Sequence, residues 1–197
     1  MSALLFLVVA ATIEVRGASS QTISTIDIQV RNTEPQAAVI LETAKYNAAK
    51  MFRAAGVEVR WVASFDKTPA TGLRIVVDVL QHAPSGLRFE GALATAYPFH
   101  GGRIEIFFDR LFALGAPPLP SLLAHVLVHE TTHVLQGFDR HSETGIMKAV
   151  WTAADYRAMK WRPLPFTPDD VEFIHGGIAR LAKKQQSTAP TTSAVEP

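Results

Sequence analysis

The chain contains no cysteine. That absence excludes disulfide bonds, thiolate ligands to a metal and a cysteine nucleophile in one step. Charge of one sign is also scarce: 19 Lys and Arg stand against 18 Asp and Glu, for a net charge of +1 and a pI near 8.1. No broad basic surface is therefore on offer, and nucleic acid is not an expected partner. The sequence has no internal repeat, no Gly-rich phosphate loop and no Gly-x-Ser-x-Gly turn. Solenoids, P-loop nucleotide chemistry and that class of serine nucleophile fall away with them.

What is present fits one domain. With 197 residues and 48% apolar composition, the chain can bury a substantial single core. The apolar run from Ala3 to Ile13 is too short to span a bilayer, and the small residues Gly17, Ala18, Ser19 and Ser20 follow it. Residues 1–20 are accordingly read as a signal peptide, although no basic residue precedes the apolar run; a buried first strand is the alternative reading. Export to a secreted or periplasmic location is the consequence, with no membrane anchor left after cleavage. Residues 21–183 form the folded domain in this reading, and the polar segment 184–197 is a disordered tail.

Periodicity places the elements. Ile26, Ile28 and Val30 alternate with polar residues as in a half-buried strand, and Leu41, Ala44, Ala48, Met51 and Ala55 then fall on one helical face. Thr33 and Gln36 have the spacing of a capping box for that helix, and Gly56 suits its stop. Val57, Val59 and Trp61 make a second strand, so the first sixty residues predict a βαβ unit. Leu73 to Leu80 reads as a third, more deeply buried strand. Residues 81–102 hold many Gly and Pro and read as a loop or a loosely paired ribbon. Arg103 to Phe108 reads as an edge strand on the strength of its charged alternate positions. After the prolines of 116–120, Ser121 can cap a long, almost wholly apolar helix ending at Gly137. Thr152 with Asp155 starts a short helix, and Thr167 to Asp170 starts a longer one. The expected class is α+β: a mixed, twisted sheet of about four to five strands with a backing helix, a central helix and a C-terminal helix.

The chemistry is concentrated between 125 and 147. Four of the seven histidines lie at 125, 129, 133 and 141. His129 and His133 stand at i and i+4, so both imidazoles leave one helix face a turn apart and can grip one metal ion. Glu130 follows the first of them, where a carboxylate can act as a base beside the metal. A helix apolar all round is buried, and burying several imidazoles without partners is costly unless a metal satisfies them. His125 lies one turn earlier, too far along the helix to join a tetrahedral site, and is expected to be a hydrogen-bonded core histidine.

His129-Glu130-Thr131-Thr132-His133, with Gly137, His141 and Met147 in that order, resembles the motif of the metzincin zinc peptidases. The element order over residues 22–182 is similar to that family's minimal catalytic domain. The resemblance implies one Zn²⁺ ion held by His129, His133 and a third ligand, with Met147 as the methionine turn beneath them. The intervals depart from the usual pattern: Gly137 comes four residues after His133 and His141 four after that, where the family uses three and three. Asp139 therefore falls on the customary third-ligand position, as in snapalysin-like proteins. Counting from Gly137 instead gives His141, with a compact six-residue run to Met147 like that of archaemetzincins. Glycine marks where the backbone can take positive φ, so His141 is preferred, Asp139 is the alternative, and Glu143 is a poorer third. The cysteines that hold a second zinc in archaemetzincins are missing.

The implied function is a zinc-dependent endopeptidase in which a zinc-bound water attacks the peptide bond and Glu130 is the general base. The partner is then a peptide or protein substrate, and a monomer is the default assembly. An extended substrate would pair with strand 103–108, and residues 148–151 would line the pocket for the side chain after the cut. Two other readings share the same ligands: an exported, non-catalytic zinc-binding protein on a metalloprotease scaffold, and a zinc hydrolase of non-peptide amides. The intact Glu130 weighs against the first.

Overall fold

The computed structural model describes residues 24–63, 74–87, 90–98 and 102–188, with side chains described as far as 183. The segment read as a signal peptide and the chain beyond Thr188 lie outside the described residues. In order along the chain the elements are β1 (Ser24–Asn32), α1 (Ala37–Ala54), β2 (Val57–Val62), β3 (Arg74–Leu80), β4 (Ala94–Tyr97), β5 (Arg103–Phe107), α2 (Phe108–Ala113), α3 (Leu119–Gln136), α4 (Ala153–Met159) and α5 (Pro168–Thr188). The first residues of the expected polar tail thus continue α5.

A five-stranded mixed sheet runs in the order β2-β1-β3-β5-β4, and the expected α+β class holds. β1 pairs in parallel with β2 across the α1 crossover and with β3 on its other side, β3 pairs in parallel with β5, and β4 alone is antiparallel. Register aligns Val30 with Val77 and Val77 with Ile104, which puts one apolar row across three strands. Against that face lie α1, through Leu41, Ala44, Ala48, Met51 and Phe52, and α3, through Leu122, Leu123, Val126 and Leu127. Burial of this layer is the main stabilising term. None of the described helices is long and apolar enough to cross a membrane.

The opposite face of the sheet is charged, and this corrects the reading of residues 103–108. Asp78 takes both ends of the Arg31 guanidinium at 2.6 and 2.7 Å and also accepts from Arg103 at 2.9 Å, while Arg103 reaches Glu105 at 2.9 Å. Arg60 pairs with the buried Asp27 in the same bidentate way. The charges that alternate along β5 belong to this face and do not mark an edge. β5 lies inside the sheet, Phe108 already begins α2, and the edge on this side is β4, which sits inside the stretch read as a loop or a loosely paired ribbon and fits the second of these. Four residues flanked by glycines and Pro98 are too short to announce a strand.

Two caps also differ from expectation. Thr33 does not cap α1: its hydroxyl donates to the Val79 carbonyl, and Glu34 accepts from the Gln36 N–H instead. Ser121 does not cap α3, which begins earlier with Pro118 at the N-cap position; the Ser121 hydroxyl donates to the Met159 carbonyl and ties α3 to α4. Thr152 and Asp155 form the expected capping box on α4, and Thr167 and Asp170 exchange the same pair of bonds at the start of α5.

Candidate metal centre

α3 is buried along almost its whole length, as expected for a helix apolar all round. It ends where the sequence places the stop, at Gly137 with φ 75°. Within it, His129 and His133 project one turn apart, and their Nε2 atoms stand 3.0 Å from each other. The chain beyond Gly137 brings His141 back over them. Ring centroids are 5.3 Å from His129 to His141 and 4.9 Å from His133 to His141. Ligand nitrogens of all three lie within 4.8 Å of one another, and among the described residues they are the group able to hold a metal ion. Asp139 and Glu143 stand outside the cluster. The Asp139 side chain is 78% exposed, and its oxygen comes no nearer than 3.9 Å to His141 Nδ1.

The donor set fits zinc. The His129 Nδ1–H donates to the Ile146 carbonyl at 2.9 Å, which fixes the tautomer and leaves the Nε2 lone pair facing His133. A carbonyl can only accept, so this assignment follows from chemistry. Burial pushes His129 down to about 3, helped by His133, and pushes His133 down to about 4, helped by His141. Both imidazoles are therefore neutral near pH 7, the state in which they bind metal. Nitrogens about 3.4 Å apart are what a tetrahedral zinc with bonds near 2.1 Å requires. The observed 3.0 Å needs little adjustment.

Glu130 lies on the same helix between the two ligand turns and is half-buried. Burial, and then the charge of Asp139, push its carboxyl up to about 8, while a backbone hydrogen bond from Ala96 of β4 acts in the opposite sense. A neighbouring cation would draw it down again. The helix thus connects the base to the edge strand of the sheet.

Met147 is fully buried within a closed turn. Its carbonyl accepts from the Ser142 N–H at 2.7 Å, and Ile146 N–H donates to Pro165 at 2.9 Å. The Ile146 carbonyl that orients His129 also accepts from Trp151 Nε1 at 3.2 Å, and the Trp151 ring stands edge-on to His129. His125 is the core histidine expected: its Nδ1–H donates to Ser121 at 2.7 Å and its Nε2 accepts from Leu164 N–H at 3.0 Å.

Sequence reasoning missed Asp170. Its carboxylate is fully buried, accepting from Ser142 Oγ at 2.5 Å, Arg140 Nη1 at 2.9 Å and Thr167 N–H at 2.9 Å. Burial acts to raise the carboxyl, but the hydrogen bonds from Ser142, Thr167 and Arg140 outweigh it and hold the group below the ordinary range. The sequence signalled Asp170 only as part of a helix start. Nothing local showed that it reaches back to the residues on either side of His141.

No family model matches the sequence, and no curated protein matches it. Among solved structures the chain is similar to the crystal structure of archaemetzincin from Methanopyrus kandleri. That likeness covers 82% of this chain and 98% of that one at 14% identity, with a TM-score of 0.47. A similarity of that degree carries no activity across, and the chemistry rests on the geometry of the three histidines.

Proposed function

We propose that the chain is a zinc-dependent endopeptidase. The observation that carries this reading is the convergence of His129, His133 and His141 beside a carboxylate on the same helix. When bound, zinc would polarise a scissile carbonyl and make a water acidic near neutral pH. Glu130 would take the proton from that water and pass it to the departing amine. His129 is held for its role by the Ile146 carbonyl, and the apolar surroundings of α3 keep bulk water from competing with it. Among the described residues β4 pairs with β5 alone, so its outer edge offers backbone groups on which an extended peptide can align. Export directed by residues 1–20 would place this activity outside the cytoplasm.

The test combines zinc content with cleavage of a denatured-protein or peptide library, comparing the unmutated chain with Glu130→Gln. One zinc per chain is expected, together with a loss of about a hundred- to ten-thousand-fold in cleavage in the variant at unchanged zinc content. Zinc binding without any Glu130-dependent cleavage of peptides would defeat the peptidase reading and favour a non-catalytic metal protein. Cleavage confined to small non-peptide amides would place the activity in a different class of hydrolase.

A further inference from the structure

The third ligand differs from the other two in its support. His129 and His133 are fixed by a buried helix, whereas His141 stands on a stretch, residues 138–145, with no helix or strand of its own. A ligand on irregular chain costs conformational freedom each time a metal is bound, unless something else has already ordered it. The loop here is laid against the first turns of α5. Phe138 meets Phe173 at 5.4 Å between ring centroids, and the Arg140 guanidinium lies 4.7 Å over the same Phe173 ring. Arg140 and Ser142, the residues on either side of His141, both donate to one oxygen of Asp170, Oδ1. The other oxygen, Oδ2, accepts from the Thr167 N–H and caps α5. A single buried carboxylate thus joins the helix start to both neighbours of the ligand.

We infer that Asp170 is a positioning residue for the metal centre, holding His141 in place for the ion through Arg140 and Ser142. The inference rests on the three-histidine reading of the site. It also accounts for the longer interval between His133 and His141: the additional chain is anchored to α5 by the Asp170 contacts.

Zinc affinity of the metal-free full chain, measured by competition with a chromophoric chelator, tests this in Asp170→Ala, His141→Ala and the double variant. Because Asp170 acts through His141, Asp170→Ala should weaken binding by about 10- to 100-fold, and adding it to His141→Ala should cause no further loss. The Co²⁺-substituted protein should show the same change in its visible spectrum in Asp170→Ala as in His141→Ala. Thr167→Ala, which weakens the α5 cap but leaves the loop contacts, should bind zinc as the unmutated chain does. Should Asp170→Ala fail to fold, Arg140→Ala combined with Ser142→Ala removes the same contacts from the loop side and must reproduce the loss. Unchanged affinity in a folded Asp170→Ala or in the loop double variant would overturn the inference while leaving the three-histidine centre standing, as would full additivity with His141→Ala. Equal zinc binding by His141→Ala and the unmutated chain would overturn both.

Discussion

His129 donates from Nδ1 to the carbonyl of Ile146, 17 residues further on, at 2.9 Å. This bond ties the turn after the third histidine to the candidate ligands, because it decides which nitrogen of His129 would face a metal. The turn depends in its own way on Gly145, which has φ 78° and leaves no room for a Cβ beside the Pro165 carbonyl. Gly145→Ala should therefore cost about 2 to 4 kcal/mol of stability through backbone strain and the displaced Pro165 contact. It should also weaken zinc binding by about 10-fold or more, since the Ile146 carbonyl moves with the turn. Chemical denaturation and a zinc competition titration check the two parts, and a variant as stable and as tight-binding as the unmutated chain contradicts both.

Removal of the metal should be visible in thermal stability. Anything that binds only the folded state stabilises it by mass action, by about 4 kcal/mol at a free concentration a thousand times the Kd. For a chain of this size that corresponds to a midpoint about 8 to 16 °C higher with zinc than after chelation. Differential scanning calorimetry with and without zinc measures it, and His133→Ala should show no zinc-dependent rise.

Much of this centre is legible in the chain, and the reason is local. His129, Glu130 and His133 sit on one helix whose geometry fixes their relation, and Gly137 marks its end. The βαβ start is equally local, because alternation in β1 and the Leu41 to Met51 stripe in α1 each report one buried face. β4 is legible only as one of two readings, a loop or a loosely paired ribbon, because four residues pair only through their register with β5, which no local pattern carries. β5 misleads because charges on Arg103 and Glu105 have two physical causes, an edge or a polar sheet face, that look identical in sequence. The choice between His141 and Asp139 depends on where an irregular loop lies, and Asp170, about thirty residues away, helps to set that.

Acid should destabilise the metal-free protein through the same histidines. In the fold His129 is pushed down to about 3 and His133 to about 4, whereas both take up protons near 6.5 once unfolded. Between these values the unfolded chain binds more protons than the native one, so stability is complete above about 6.5 and is lost as pH falls toward 3. Urea unfolding of chelator-treated protein at pH 7.5, 6 and 5 should show this decline. His129→Gln should flatten it, and a wild-type slope in that variant would show that other groups are responsible.

Glu130 has the opposite dependence, which separates its contribution from theirs. Its carboxyl is held up to about 8 in the metal-free fold, against about 4.5 in the unfolded chain. Over that interval the native state keeps a proton that the unfolded state has released, so this group's stability is present below 4.5 and is lost as pH rises through 8. Glu130→Gln has the same shape without the charge. The metal-free variant should match the unmutated protein near pH 4.5 and exceed it in stability at pH 8.5, by an amount that zinc reduces because a cation favours the ionised carboxylate. Denaturation of both proteins at the two pH values, with and without zinc, measures the difference. A variant no more stable than the unmutated chain at pH 8.5 without metal would mean that the half-buried Glu130 carboxylate is well solvated, and its raised pKa would have to be abandoned.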